Sequence, residues 1–185
     1  MRYSLEYADV KAMIIDIGSL RPNPVSDYDE DCEAIREWMA NVPFEWVSIA
    51  FQVLCKENFD DYINEIGYWN GNLTDAFSII AERDPSKFYE IVIPYLDIDQ
   101  TRIIVFHVMN NILPPQGVHV IDYFVDNIAM LTEYEILYLI DLIALYWDLN
   151  TDQDSAKSLL IKIKLENKSP IASSYIDKIY TRIIA

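Results

Sequence analysis

The chain has 185 residues, 52% of them apolar, and carries 30 acidic against 14 basic residues for a net charge of −16. That apolar content excludes an acidic disordered tail, and the length is enough to bury a core. The acidity argues against a nucleic-acid binder, which clusters Lys and Arg to displace counterions from phosphates.

The charge is unevenly spread. Through Asp154 there are 28 acids and 8 bases, a net of −20, whereas Ser155 to Ala185 holds 2 acids and 6 bases, a net of +4. Such an excess repels itself within one folded body, so its simplest use is to attract a basic partner. Only 4 Gly are present, too few for the tight turns of a hairpin-rich β fold. The two cysteines, Cys32 and Cys55, lack CxxC spacing and read as reduced thiols suited to a cytoplasm. The N-terminus lacks the apolar core of a signal peptide. The longest apolar stretch, Tyr134 to Trp147, is short and contains Glu135 and Asp141, so no membrane partner is expected.

Taken in order, the apolar residues recur at helical spacing: Val10, Met13, Ile14 and Ile17; then Ile35, Trp38 and Met39; then Trp46, Ile49, Ala50, Val53 and Leu54. Helix starts carry their signals. Asp84-Pro85 and Ser169-Pro170 each place a capping side chain before Pro at the first helical position. Thr132 with Glu135 forms a capping box, and Thr151 with Asp154 and Ser26 with Asp29 are shorter-armed versions. Pro114-Pro115 ends one helix and opens the next. These signals predict an all-α chain with helices over 5–18, 27–40, 43–57, 59–69, 74–83, 86–96, 99–113, 116–130, 132–149, 152–167 and 170–184.

The later helices pair: 86–96 with 99–113, 116–130 with 132–149, and 152–167 with 170–184. Their turns, near Asp97, Leu131 and Lys168, are spaced 34 to 37 residues apart, in the period range of two-helix solenoids. The stretch from Tyr134 to Trp147 is apolar on almost every face, which predicts a helix buried on both sides, in a stacked array or at the centre of a bundle.

These helix pairs, with Pro near starts and Asp or Asn near turns, resemble HEAT-type repeats over about residues 84–185. The resemblance implies paired antiparallel helices stacked as a short right-handed solenoid. The whole chain is then one helical domain, 1–185, with N-terminal helices over 1–72 and helix pairs over 73–185; the N-terminal helices either join the array or cap it. A small, acidic, Tyr- and Trp-rich helical chain is also similar in character to the immunity proteins of bacterial contact-dependent and polymorphic toxin systems. That resemblance implies a protein that binds one toxin domain and blocks its active site.

Motifs for chemistry are absent or fail. Asp27, Asp29 and Asp31 have the D-x-D-x-D opening of an EF-hand loop. Its sharp-turn Gly is replaced by Cys32 and its bidentate Glu by Trp38, so the acids read as a helix N-terminus or a binding patch. His107 has Asn110 and Asn111 one turn on but no Ser or Cys within a turn, and reads as a hydrogen-bonded, half-buried side chain. His119 reads as a surface residue. No HExxH, G-x-S-x-G, P-loop or GxGxxG pattern occurs, and carboxylate pairs such as Asp60-Asp61 and Asp97/Asp99 arise by chance among 30 acids. No catalytic residue, metal site or cofactor is expected.

The aromatics carry more information. Tyr28, Tyr62, Tyr68, Trp69, Tyr123 and Tyr134 stand beside or near acids, and Tyr and Trp dominate interface hot spots. Trp38, Trp46 and Trp147 read as core, whereas IGYWNGN, bracketed by Gly67 and Gly71, reads as an exposed binding loop. The predicted partner-binding set is Asp27, Tyr28, Asp29, Glu30, Asp31, Asp60, Asp61, Glu65, Tyr68 and Trp69. The function it suggests is an acidic, non-enzymatic, immunity-type inhibitor that occludes the active site of a basic toxin or nuclease domain. The alternative is a helical-repeat scaffold binding a protein or peptide on a concave face.

Overall fold

The computed structural model of the chain, which describes residues 4–20, 30–65, 69–112, 119–149, 153–167 and 169–184, starts several of its helices at caps that the sequence places. Eleven α-helices and two short 3₁₀ turns, and no strand, occur among the described residues. The chain divides into two compact units, Met1–Pro115 and Gln116–Ala185.

The first unit contains α1 (Tyr7–Gly18), α2 (Glu30–Asn41), α3 (Phe44–Lys56), α4 (Asp60–Glu65), α5 (Trp69–Arg83), α6 (Pro85–Val92) and α7 (Asp99–Asn111), with a 3₁₀ turn at Ile93–Tyr95. Asp84 caps α6 as its sequence predicts: its carboxylate accepts the Lys87 N–H at 3.1 Å, with Pro85 at the first helical position. Helix α5 packs on α1, α2, α6 and α7, and α3 packs on α1, α6 and α7. Phe77 on α5 joins these layers, its ring centroid lying 6.0 Å from Trp46, 4.9 Å from Phe51 and 6.3 Å from Phe88. Removing a ring of this kind from water contributes about 1.5–3 kcal/mol. Trp38 meets Trp46 edge-to-face at 5.3 Å, so both belong to this aromatic core as the helical spacing predicts.

Polar ties join the same helices. Arg83 donates to the Val42 carbonyl at 2.5 Å, satisfying the chain just beyond α2, and its guanidinium lies 4.9 Å from the Phe44 ring centroid. Arg102, only 2% exposed, donates to the Leu96 carbonyl at 3.1 Å and to Asp99 at 2.5 Å. Asn111 donates to Ser78 at 3.1 Å, linking α7 to α5 at a separation of 33 residues.

The second unit contains α8 (His119–Asp126), a 3₁₀ turn at Ile128–Met130, α9 (Glu133–Leu149), α10 (Gln153–Glu166) and α11 (Pro170–Ile184). The capping box before α9 forms as predicted. The Glu135 carboxylate accepts from the Thr132 N–H and hydroxyl, each at 2.8 Å, and the Glu135 N–H donates to the Thr132 hydroxyl at 3.3 Å. Ser169 caps α11, accepting the Ala172 N–H at 3.2 Å. Helix α10 packs on α8 and α9, and α11 packs on α9 and α10. Lys162 binds Asp126 and Ser169 binds Glu133, both 36 residues apart, and Tyr175 binds Asp141 at a separation of 34. The last two bonds advance in the same direction on both helices, so α9 and α11 run parallel.

Helix α5 shares its core with α1, α2 and α7. Two expectations change. Helix α5 begins at Trp69, not 74, and takes Gly71 into its first turn. Helix α9 is not buried all round. Ile136, Leu139, Ile140 and Ile143 face the core, whereas Tyr134 and Leu145 stand 69% and 38% exposed with Asp141 on the same outward face. The pairs Thr151/Asp154 and Ser26/Asp29 and the Pro114-Pro115 step involve positions outside the described residues.

Candidate functional site

Residues 1–115 contain 20 acids and 8 bases, a net of −12, and residues 116–185 contain 10 acids and 6 bases, a net of −4. Several cations of the first unit are occupied within it. Lys11 donates to Glu57 at 2.5 Å, Arg83 holds backbone carbonyls, and Arg102 is buried against Asp99. Meanwhile Asp9, Asp16, Glu37, Glu45, Asp75 and Glu90 stand on exposed helix positions.

The predicted binding set divides by position. Asp27, Tyr28, Asp29 and Tyr68 lie outside the described residues. Glu30 and Asp31 form the first turn of α2 and Glu65 ends α4, with only their backbone described. Asp60 and Asp61 are exposed on the first turn of α4. The N–H of Asp60 is taken by the Asn58 side chain at 2.7 Å, which starts this short helix in place of a Ser or Thr cap.

Trp69 overturns its expectation of exposure. It is 1% exposed and lies 5.4 Å from Phe59 and 5.2 Å from Tyr62. Its ring also lies against Gly18, where an added Cβ would overlap it. The glycines around IGYWNGN suggested a loop, but Gly71 is helical, and starting α5 at residue 69 turns the indole inward. Asn72, one turn on, donates to the Gly18 and Leu20 carbonyls at 3.0 and 2.8 Å and so closes the end of α1. Trp69 therefore fixes α4, and with it Asp60 and Asp61, against α1 and α5.

A second surface lies on the other unit. A groove of about 460 Å³ runs between α9, which supplies Leu137 and Asp141, and α11, which supplies Pro170, Ile171, Ser174, Tyr175 and Lys178. The Tyr175 hydroxyl donates to Asp141 in the middle of it. Ile171 stands 59% exposed at the wall. Tyr134 and Tyr138 stack on α9 with centroids 6.3 Å apart, and burial, Tyr134 and Asp141 raise the Tyr138 hydroxyl above its ordinary value. Sequence reasoning missed this groove. The signal present was that Tyr134, Tyr138, Asp141 and Leu145 follow one helical face.

Other polar groups tie helices together. Tyr7 donates to Glu57 at 3.2 Å beside Lys11, which ties α1 to the end of α3. The bonded Lys11 holds the Glu57 carboxyl below its usual range, and Glu57 in turn raises Lys11. Tyr89 donates to the Ile112 carbonyl, and burial pushes its hydroxyl well above the ordinary tyrosine range. Cys55 is a free, half-buried thiol raised by burial, and thus poorly reactive; the Cys32 side chain lies outside the described residues. His107 is half-buried on α7, and the side chains of His119 and Trp147 lie outside the described residues. Among the described residues no group of three His, Cys, Asp or Glu is placed to hold a metal ion, and no helix is long and apolar enough to cross a membrane. No protein-family model, curated protein or solved structure gives a significant match to this chain.

Proposed function

We propose that this chain is a non-enzymatic, acidic inhibitor of the immunity-protein type, which neutralises a basic toxin or nuclease domain by covering its active site in the cytoplasm. The observation that carries this reading is the charge of the first unit: 20 acids against 8 bases, with Lys11, Arg83 and Arg102 engaged internally. An outward field of one sign steers a complementary protein and imitates the phosphates that a nuclease groove accepts. Asp60 and Asp61, held out by the Phe59–Tyr62–Trp69 cluster, are the described residues of the rim, and Asp27, Tyr28, Asp29, Glu30, Asp31, Glu65 and Tyr68 complete the proposed patch. Trp69 supports the Asp60–Asp61 part of the patch through Phe59 and Tyr62.

The test is affinity capture from the source lysate at low salt, with elution in a salt gradient. One basic protein should come off, its activity should be blocked by this chain, and Asp60→Asn/Asp61→Asn should weaken capture. Several partners of mixed charge, eluting without salt dependence, would overturn the inhibitor reading.

A second reading, a HEAT-like scaffold, is supported by one observation. The bonds Asp126–Lys162, Glu133–Ser169 and Asp141–Tyr175 join α8 to α10 and α9 to α11 at separations of 36, 36 and 34 residues. Stacked two-helix repeats bring like positions together at such a constant offset. The two readings differ in partner choice, since a stacked array can itself serve as an inhibitor.

A further inference from the structure

We propose that the α9–α11 groove receives a basic, long-stemmed side chain, Lys or Arg, from an apolar and basic segment of a partner protein. The inference rests on the reading that the partner is basic, and adds a second contact surface with its own chemistry. Leu137, Pro170 and Ile171 offer an apolar wall of the kind that aliphatic Lys and Arg stems cover. Asp141 places a carboxylate one helical turn beyond Leu137, beside that wall, already oriented by the Tyr175 hydroxyl. A positioned carboxylate in a partly apolar groove binds a cation better than one free in water, because no ordering of the acid is needed on binding. The stacked Tyr134 and Tyr138 flank Asp141 on the same helix face, and Tyr134 is 69% exposed. An exposed tyrosine face beside a carboxylate suits a guanidinium or ammonium.

Asp141 selects a cation at its own position, since it is the acid within the lining, and Asp177, outside the lining, is paired with Lys164. Lys178 lies one turn beyond Tyr175 at the far end of the same groove, and no acid pairs with it among the described residues. A cation entering near Asp141 is repelled by Lys178. The two lining charges therefore act oppositely on a bound cation, and the apolar wall residue Ile171 separates seating in the groove from attraction to an acidic surface.

The experiment uses the full chain and two fluorescent peptides, one an amphipathic Leu–Arg repeat and one its Leu–Glu counterpart, with binding followed by anisotropy. The Leu–Arg peptide should bind and the Leu–Glu peptide should not. Asp141→Asn should weaken binding by about tenfold, and Lys178→Ala should tighten it by about threefold. Asp141→Asn also alters the Tyr175 bond, so Ile171→Ser, at an exposed position that leaves the core intact, should weaken binding with an unchanged melting temperature. If the Leu–Arg peptide binds but responds only to Asp60→Asn/Asp61→Asn, the groove is overturned while the acidic-inhibitor reading stands. If it binds nowhere, or if the Leu–Glu peptide binds instead, the groove is overturned together with the expectation of a basic partner there.

Discussion

Gly18 and Gly71 show how one residue type serves opposite ends. At Gly18 an added methyl would overlap the Trp69 ring, so Gly18→Ala should lose about 1–3 kcal/mol, read as a lower denaturation midpoint. At Gly71 an added Cβ meets open space in a helix, so Gly71→Ala should gain up to about 1 kcal/mol by restricting the unfolded chain. Reading Gly71 as a loop residue would predict no gain there. Trp69→Ala should cost about 3–5 kcal/mol, since it removes a buried indole that touches Phe59, Tyr62 and Gly18. Trp69 was legible as an important aromatic, but not as a buried one. Its neighbour Gly18 lies 51 positions away, and no local pattern connects the two.

At the scale of the element, the caps were legible because they are local. Asp84, Thr132 with Glu135, and Ser169 all form the bonds their spacing implies. Ser169→Ala removes an N-cap and the link to Glu133, and should cost about 1 kcal/mol in a chemical denaturation curve. The tie between α1 and α3 depends on pH in a defined way. Glu57 has a lowered folded value, so its contribution is present above the unfolded carboxyl value and is lost as pH falls through the folded one. Lys11 has a raised folded value, so its contribution is present below the unfolded ammonium value and is lost as pH rises through the folded one. Glu57→Gln should therefore be less stable than wild type near neutrality, and the gap should close in acid. A constant gap across an acid titration of the melting temperature would refute this account. Helix α9 was harder to read. Its mostly apolar composition conceals a face, from Tyr134 to Leu145, that points outward.

For the whole molecule, the charge is the property with the clearest consequence. A net of −16, mostly on the first unit, should make association with a basic partner fast at low salt, with the rate falling on the order of tenfold at physiological ionic strength. Stopped-flow association rates across a salt series check this. A rate indifferent to salt would mean that the acids serve solubility alone. Reversing Lys164 and Lys178 should matter mainly at the second unit, where Lys164 pairs with Asp177 and Lys178 lines the groove.

Composition, period and capping residues determined by themselves that the chain is all helical, and placed most helix starts, because helix formation depends on contacts three and four residues apart. They also carried the acidity, which is a sum over the chain. Only the tertiary structure decided that Trp69 points inward, that α5 belongs with α1 and α2, that Arg102 is buried, and that α9 and α11 leave a groove around Asp141. Those outcomes depend on which distant faces compete for the same core, and apolar side chains such as Trp69 and Leu145 carry no local mark of which one wins.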